Sequence, residues 1–256
     1  MVPPAAVRNG ILRFSAITAR PSSRNIPERR PVRASDDAVV SSQTRVIVIR
    51  HGESQAQAAH ILSGHDTCSG LTDLGRAQVG ALNARLVRTG ELGAVDAVYT
   101  SILPRAQETA EILRPALGDR PAGAECAWCE IHSGEAEGMD FDEMRAKYMP
   151  GIRYADPYAR PIPDGESWAD LYTRVGTRLQ RAAADHEGET SVVVGHGGTI
   201  GASFVAFGHM PMPQATDIVH NVHNASITEW VGTGGRWRLV RFNDAAHLAV
   251  ASTDTD

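Results

Sequence analysis

Residues 45–54 read RVIVIRHGES, and this stretch decides the fold. The run Val46–Ile49 is apolar on both faces and too short for a helix, so it predicts a buried parallel strand. The strand stops abruptly at Arg50, His51 and Gly52. In open α/β sheets, ligands bind beyond the carboxyl ends of central strands. A guanidinium, an imidazole and a glycine turn delivered there fit a phosphate-handling site. A strand that simply ends in polar residues would look the same over ten positions, so the rest of the chain has to arbitrate.

Downstream, helix and strand patterns alternate. Thr72 is an N-cap for a helix over 73–88 with apolar Leu74, Ala77, Ala81, Leu82 and Leu86. A strand is expected over 94–100, then a helix over 105–117 opened by Pro104. A short strand around 125–131 follows. Next comes an excursion over 132–165, punctuated by Pro150, Pro157, Pro161 and Pro163, with at most one helix near 140–147. Ser167 caps a helix over 168–185, TSVVV at 190–194 is a third buried strand, and a helix over 199–207 follows. Two late strands, 225–231 and 236–242, complete the sheet. The alternation predicts one α/β domain over residues 45–248, built on a mostly parallel sheet, with a flexible tail over 249–256.

At 256 residues the chain is long enough for one domain with a full core. Hydrophobic residues at 42% and charged residues at 21% are ordinary for a globular protein. No apolar run approaches the roughly 18–20 residues that a membrane span needs. Cys68, Cys126 and Cys129 cannot form a disulfide framework, which fits a reducing, cytoplasmic setting. The net charge of −5 conceals an asymmetry: residues 1–35 carry seven arginines and one acid, Glu28, leaving 18 basic against 29 acidic side chains in the remainder. An acidic body is not the profile of a nucleic-acid binder. Residues 1–44, rich in Arg, Pro and Ser, read as a disordered extension. A basic tail or a start placed too far upstream is favoured over an organelle transit peptide, and the apolar core of a secretory signal is missing.

Three expected strands end in the same kind of residue: Arg50 and His51 after the first, Ser101 and Arg105 after the second, His196 after the third. In a mostly parallel sheet these ends share one edge, and the helices that follow aim their N-termini at it. Two arginines supply planar forks that match phosphate oxygens. Gly52, Gly197 and Gly198 let backbone amides approach an anion. Singly, Arg105 reads as a solvated charge and His196 as a core histidine. Together they make a positive pocket in an acidic protein.

Together these elements resemble the histidine phosphatase superfamily, the phosphoglycerate-mutase-like proteins. Arg50-His51-Gly52-Glu53-Ser54 is similar to the family signature, and Leu71-Thr72-xx-Gly75-xx-Gln78 to its LTxxGxxQA element. Tyr99-Thr100-Ser101-xxx-Arg105-Ala106-xx-Thr109-Ala110 resembles SSPLxRAxQTA, and Glu130 with Gly134 and Glu137-Gly138 resembles LxExxxGxxEG. Pro163-xx-Glu166-Ser167 matches the PxGES loop, Val194-Gly195-His196-Gly197-Gly198 looks like the second-histidine motif, and Phe242-Asn243-Asp244-xx-His247-Leu248 resembles a C-terminal element of the phosphatase branch.

The resemblance implies a three-layer sandwich with helices on both sides of the sheet. It implies His51 as the nucleophile that becomes phosphohistidine, and Arg50, Arg105 and His196 as the grip on the phosphate oxygens. Ser54, Gln57 and Gly197 would line the phosphate, and Glu130 would act as general acid, then base. No cofactor and no metal is implied, so activity in chelator is expected. The implied partner is a small phosphorylated metabolite, and a homodimer is allowed. Glu135 and Glu137 are substitutes for Glu130, which is preferred because it ends the expected strand. Gln57 stands where the family often has Asn, Cys129 where it has Leu, and Ser133 and Ala136 where aromatics are common, which implies a more open pocket wall.

Only 35 residues separate Glu130 from Glu166. A short cap leaves water free to enter, which favours hydrolysis of a phosphate monoester over phosphoglycerate mutase action. A non-catalytic phosphate-binding member, or an interaction protein acting through its Arg-rich tail, are the readings from other classes. Specificity would lie in the excursion, at Arg145, Lys147, Arg153, Tyr154, Tyr158 and Arg160. Cys126-Ala-Trp-Cys129 has the spacing of a metal or redox pair, with Cys68 and His132 as further ligands. On a strand, however, residues three apart point to opposite faces, so buried small hydrophobes are the expectation. His60, His65, His209, His220 and His223 lack a consistent ligand spacing and read as surface or loop residues.

Overall fold

A computed structural model describes residues 43–150, 156–212 and 221–249. Of the expected extension over 1–44, residues 1–42 lie outside the described residues and Thr44 already opens the first strand; of the expected tail over 249–256, residues 250–256 lie outside them and Ala249 closes the last helix. Six strands, β1 (Thr44–Arg50), β2 (Ala97–Thr100), β3 (Gly123–Ala124), β4 (Thr190–Gly195), β5 (Ile227–Thr233) and β6 (Arg236–Asp244), form one sheet in the order β3-β2-β4-β1-β5-β6. β3, β2, β4 and β1 run parallel, whereas β5 pairs with β1 antiparallel and turns back into β6. The helices are α1 (Gln55–Ala58), α2 (Asp73–Thr89), α3 (Pro104–Leu113), α4 (Phe141–Tyr148), α5 (Trp168–Asp185), α6 (Gly197–Ala206) and α7 (Ala246–Ala249). None of the described helices is long and apolar enough to cross a membrane.

The period of two in β1 builds the layers. Val46 and Val48 enter a core with Leu171, Val175 and Leu179 of α5 and Ile200 of α6. Ile47 and Ile49 enter the opposite core with Val79 and Leu82 of α2 and Leu113 of α3. All four are fully buried, which contributes roughly 1.5–3 kcal/mol per side chain. The expected α/β architecture, a mostly parallel sheet flanked by helices, is what these contacts produce.

Three local expectations are corrected. The buried face of α2 is Gly75, Val79, Leu82 and Leu86, while Leu74 is 56% exposed and Ala77 is also exposed. A Cβ at Gly75 would fall well inside contact of the Glu53 carbonyl oxygen, and that close approach fixes the rotation of the helix. The expected helix over 105–117 ends at Leu113 and tightens into one 3-10 turn, Arg114–Leu117, because Pro115 has no N–H to continue it. The expected strand over 125–131 is absent. Cys126–Trp128 form a 3-10 turn closed by the Cys129 N–H on the Cys126 carbonyl at 2.9 Å, and Glu130 follows in a loop. Arg174 of α5 donates to the carbonyls of Cys126, Ala127, Cys129 and Glu130, so these acceptors are taken by a side chain rather than a neighbouring strand.

His247 of α7 is 6% exposed, and neither ring nitrogen has a hydrogen-bond partner among the described residues. Burial, reinforced by Arg85 and opposed by Asp244 and Glu91, pushes it down to about 4. An unfolded chain takes up that proton near pH 6.5. Between these values the unfolded state binds more protons, so stability falls as pH falls through the window. The shift corresponds to about 3 kcal/mol. Urea midpoints of wild type and His247→Leu at neutral pH and near pH 5 check this: the wild type should lose markedly more on acidification.

Candidate active site

In register, Arg50 lies beside Gly195 and Thr100 beside Val194. The ends of β1, β2 and β4 are therefore level, and the residues that follow them meet at one edge. The His51 N–H donates to the Gly195 carbonyl at 2.9 Å. His51 is 4% exposed, and its Nδ1 lies 2.6 Å from the Gly52 carbonyl oxygen. A carbonyl only accepts, so Nδ1 carries the proton and Nε2 keeps its lone pair. The ring meets that of His196 at a centroid distance of 5.1 Å and 63°. Burial, then the charges of Arg105 and Arg50, hold His51 well below the usual imidazole range. It is neutral at neutral pH, the form a nucleophilic nitrogen requires.

His196 is fully buried, with Nε2 2.8 Å from Ser101 Oγ and Nδ1 without a partner among the described residues. Burial first, then Arg105, His51 and Arg50, push it down in the same direction. Arg50 donates through Nη1 to the Val222 carbonyl, while its buried Nε has no partner. Burial lowers Arg50 although nearby Glu130 raises it. Arg105, in the first turn of α3 behind Pro104, is 5% exposed and donates to Ser63 Oγ at 3.1 Å, with Cys68 Sγ 3.2 Å away. Among the described residues neither arginine forms an ion pair. A buried guanidinium and a half-buried one, neither with a carboxylate partner among the described residues, are costly to keep, and a phosphate anion would offset that cost.

Two of the three glycine amides expected to face an anion are used by the protein itself. Gly52 N–H donates to Thr109 Oγ1 at 3.2 Å, and Gly198 N–H donates to Glu130 Oε2 at 3.0 Å. Gly197, the first residue of α6, is half-buried beside them. Ser54 caps α1 in a capping box with Gln57: the Gln57 N–H donates to Ser54 Oγ at 3.2 Å, and Gln57 Oε1 accepts the Ser54 N–H at 3.3 Å. Gln57 Oε1 also accepts from Asn224 Nδ2 at 3.0 Å, and the same amide group reaches the His51 carbonyl at 3.1 Å. Asn224 was not singled out from sequence, and nothing in its spacing marks it.

Glu130 sits at the N-terminus of α6, its Oε2 accepting the Gly198 N–H. A Cβ on Gly198 would occupy the place of Glu130 Oε1. The backbone of Glu130 is held by Arg174, which pairs with Glu166 at 2.8 and 2.6 Å, while the His132 N–H donates to Glu166 at 3.1 Å. The two substitutes for Glu130 are occupied elsewhere. Glu137 Oε1 accepts from the amides of Gly64, Asp66 and Thr67 and from Thr67 Oγ1 at 2.7–3.1 Å. Burial would raise its pKa, but these bonds hold it below the usual range. Glu135 is exposed and accepts from the Tyr148 hydroxyl at 3.4 Å.

Beside Glu130 opens a cavity of about 280 Å³, lined by Leu62, Phe141, Met144, Met149, Trp168 and Arg145 among others. Of the residues expected to set specificity, Arg145 lines it. Arg160 is paired with Asp170 at 2.7 Å, Lys147 lies over the Tyr148 ring and Tyr158 is exposed. Arg153 and Tyr154 lie outside the described residues.

Comparison with known proteins agrees with this edge-of-sheet arrangement. The model of the histidine phosphatase superfamily (branch 1) matches residues 46–245. The chain is 32% identical over 208 residues to phosphoglycerate mutase-like protein 4 of Arabidopsis thaliana, covering 79% of this chain and 86% of that one. It is 28% identical over 238 residues to the metal-independent phosphoserine phosphatase of the same plant, covering 88% and 92%. The solved structure of a mycobacterial glucosyl-3-phosphoglycerate phosphatase with VO3 superposes with a TM-score of 0.68 at 26% identity, covering 78% of this chain and 98% of that one. This chain belongs to the histidine phosphatase superfamily, branch 1.

Proposed function

We propose that the protein hydrolyses a small phosphate monoester in two transfers through His51. Nε2 attacks phosphorus and the ester P–O bond breaks, Glu130 protonating the leaving oxygen. Glu130 then takes a proton from water, which attacks the phosphohistidine and breaks the P–N bond. Arg50, Arg105 and His196 hold the phosphoryl oxygens through both steps, with Ser54, Gln57 and Gly197 at the rim. Phosphoryl transfer leaves little other covalent chemistry to the protein, so positioning and charge carry the catalysis. The observation that carries the proposal is the His51 Nδ1–Gly52 carbonyl contact. It commits the tautomer and leaves a neutral Nε2 beside two guanidiniums that have no carboxylate partner among the described residues. Metal takes no part in these steps.

Relatives named as phosphoserine and glucosyl-3-phosphoglycerate phosphatases support a small phosphorylated substrate. Its non-phosphate part would sit in the largely apolar cavity beside Glu130. The three free thiols support a reducing compartment, the cytoplasm, and residues 45–248 are proposed as the working domain. A phosphate-release screen over a metabolite panel, with and without 2,3-bisphosphoglycerate, tests the reading. Hydrolysis should exceed transfer for the best substrate, and mutase flux above phosphate release would overturn it in favour of a mutase.

A further inference from the structure

On the turn that leads into Glu130 and the loops beside it, two cysteines and two histidines converge. We propose that Cys126, Cys129, His65 and His132 form a tetrahedral site for one zinc-class divalent ion. The ion ties the loop carrying Glu130 to the loop carrying His65. The site is independent of the phosphatase reading and supplies no step of it.

Three of the four donors already form a compact group, and the fourth touches one of them. The ligand atoms of His65, Cys126 and Cys129 all lie within 4.8 Å of one another. Cys126 Sγ is 3.3 Å from His65 Nε2 and 3.5 Å from His132 Nε2, and the two imidazoles are 5.0 Å apart between centroids. With Zn–S near 2.3 Å and Zn–N near 2.0–2.1 Å, the sulfur–nitrogen edge of a tetrahedron is about 3.6 Å. Both Cys126 sulfur–imidazole distances lie within about 0.3 Å of that edge, while His132, outside the compact group of the other three donors, would swing in to complete the tetrahedron. The cysteines are free thiols. Two sulfurs and two imidazoles select zinc over the oxygen-seeking calcium and magnesium.

Sequence spacing alone pointed the other way, because a strand would send the two cysteines to opposite faces. The 3-10 turn over Cys126–Trp128 removes that objection by closing the chain between them. The outer contacts also fit. His132 faces Cys126 with Nε2 and approaches Glu166 Oε1 with Nδ1 at 3.7 Å, the carboxylate–histidine–metal arrangement of metal centres. The Arg174 side chain bonds the carbonyls of Cys126, Ala127 and Cys129 and so holds the turn that brings the two cysteines together. The His65 loop is fixed by the four hydrogen bonds to Glu137. Cys68, the other cysteine weighed from sequence, lies instead against Arg105.

Binding exchanges two thiol protons for one divalent ion, with no change of oxidation state. Since Cys129 precedes Glu130 and His132 follows two residues later, the ion brackets the proposed acid–base. His65 is exposed and His132 half-buried, so an ion can enter from solvent.

The test uses the full, reduced chain and zinc or cobalt(II) alone as the probe. One zinc per chain by elemental analysis is expected, as is a tetrahedral cobalt(II) spectrum with visible d–d bands and a thiolate charge-transfer band. Both should vanish in Cys126→Ser/Cys129→Ser, while His51→Ala keeps them. Zinc should raise the melting temperature of the wild type and leave the double variant unmoved. If the double variant does not fold, His65→Gln at its exposed position serves: its cobalt affinity should fall by at least the roughly 10-fold that losing even an outer-shell partner costs. Absence of a stoichiometric tetrahedral spectrum in the wild type, or its survival in these variants, would overturn the proposal.

Discussion

His51→Ala should reduce phosphate release by roughly 10⁴-fold or more, the scale of losing a covalent nucleophile. The loss should appear in kcat and kcat/KM alike, because Arg50, Arg105 and His196 remain to bind the phosphate. The direct readout is the intermediate. Enzyme mixed with a labelled phosphate donor and quenched in alkali, where the P–N bond survives, should carry label in the wild type and none in the variant. A wild type that turns over without labelling, or a variant that still labels, would remove His51 from the mechanism.

Glu130→Gln should lower turnover of an alkyl phosphate by about 10²–10⁴-fold, the usual contribution of a general acid or base. Gln keeps an oxygen for the Gly198 amide, so the loop should hold its place. The distinguishing sign is leaving-group dependence. An aryl phosphate needs no proton on departure, so formation of phosphohistidine should survive with it. The following hydrolysis, which needs the base, should slow, so the intermediate should accumulate after a burst. Equal losses on both substrates, without accumulation, would show that Glu130 supports the loop rather than moves protons.

What could be read from sequence, and what could not, follows from how local each determinant is. β1 and β4 are buried on both faces, so their apolar runs announced them. The helix over Trp168–Asp185 ran to its expected ends because Ser167 and Asp170 close a capping box within four residues. His51, Arg105 and His196 stand at or just past strand ends, so their proximity followed from the sheet. The turn at Cys126–Trp128 did not follow, because it depends on Arg174, a helical residue 45–48 positions away from the cysteine carbonyls it holds. The seat of Glu130 depends on the same clamp and on the Gly198 amide. The rotation of α2 was missed for a related reason: a backbone contact at Gly75 outweighed the pull of Leu74.

The centre of the sheet also has a consequence for how the chain comes into being. β1 is bordered by β4 and β5, with Arg45 opposite Thr190 and Thr44 opposite Gly232. On the ribosome, the segment Val46–Ile49 therefore emerges long before either neighbour that will shield it. Contacts so distant along the chain close slowly, and a bare β-branched run is sticky in the meantime. Nascent chains halted before residue 190 lack both strands that hydrogen-bond to it, which makes synthesis, rather than the finished molecule, the stage most exposed to misassembly.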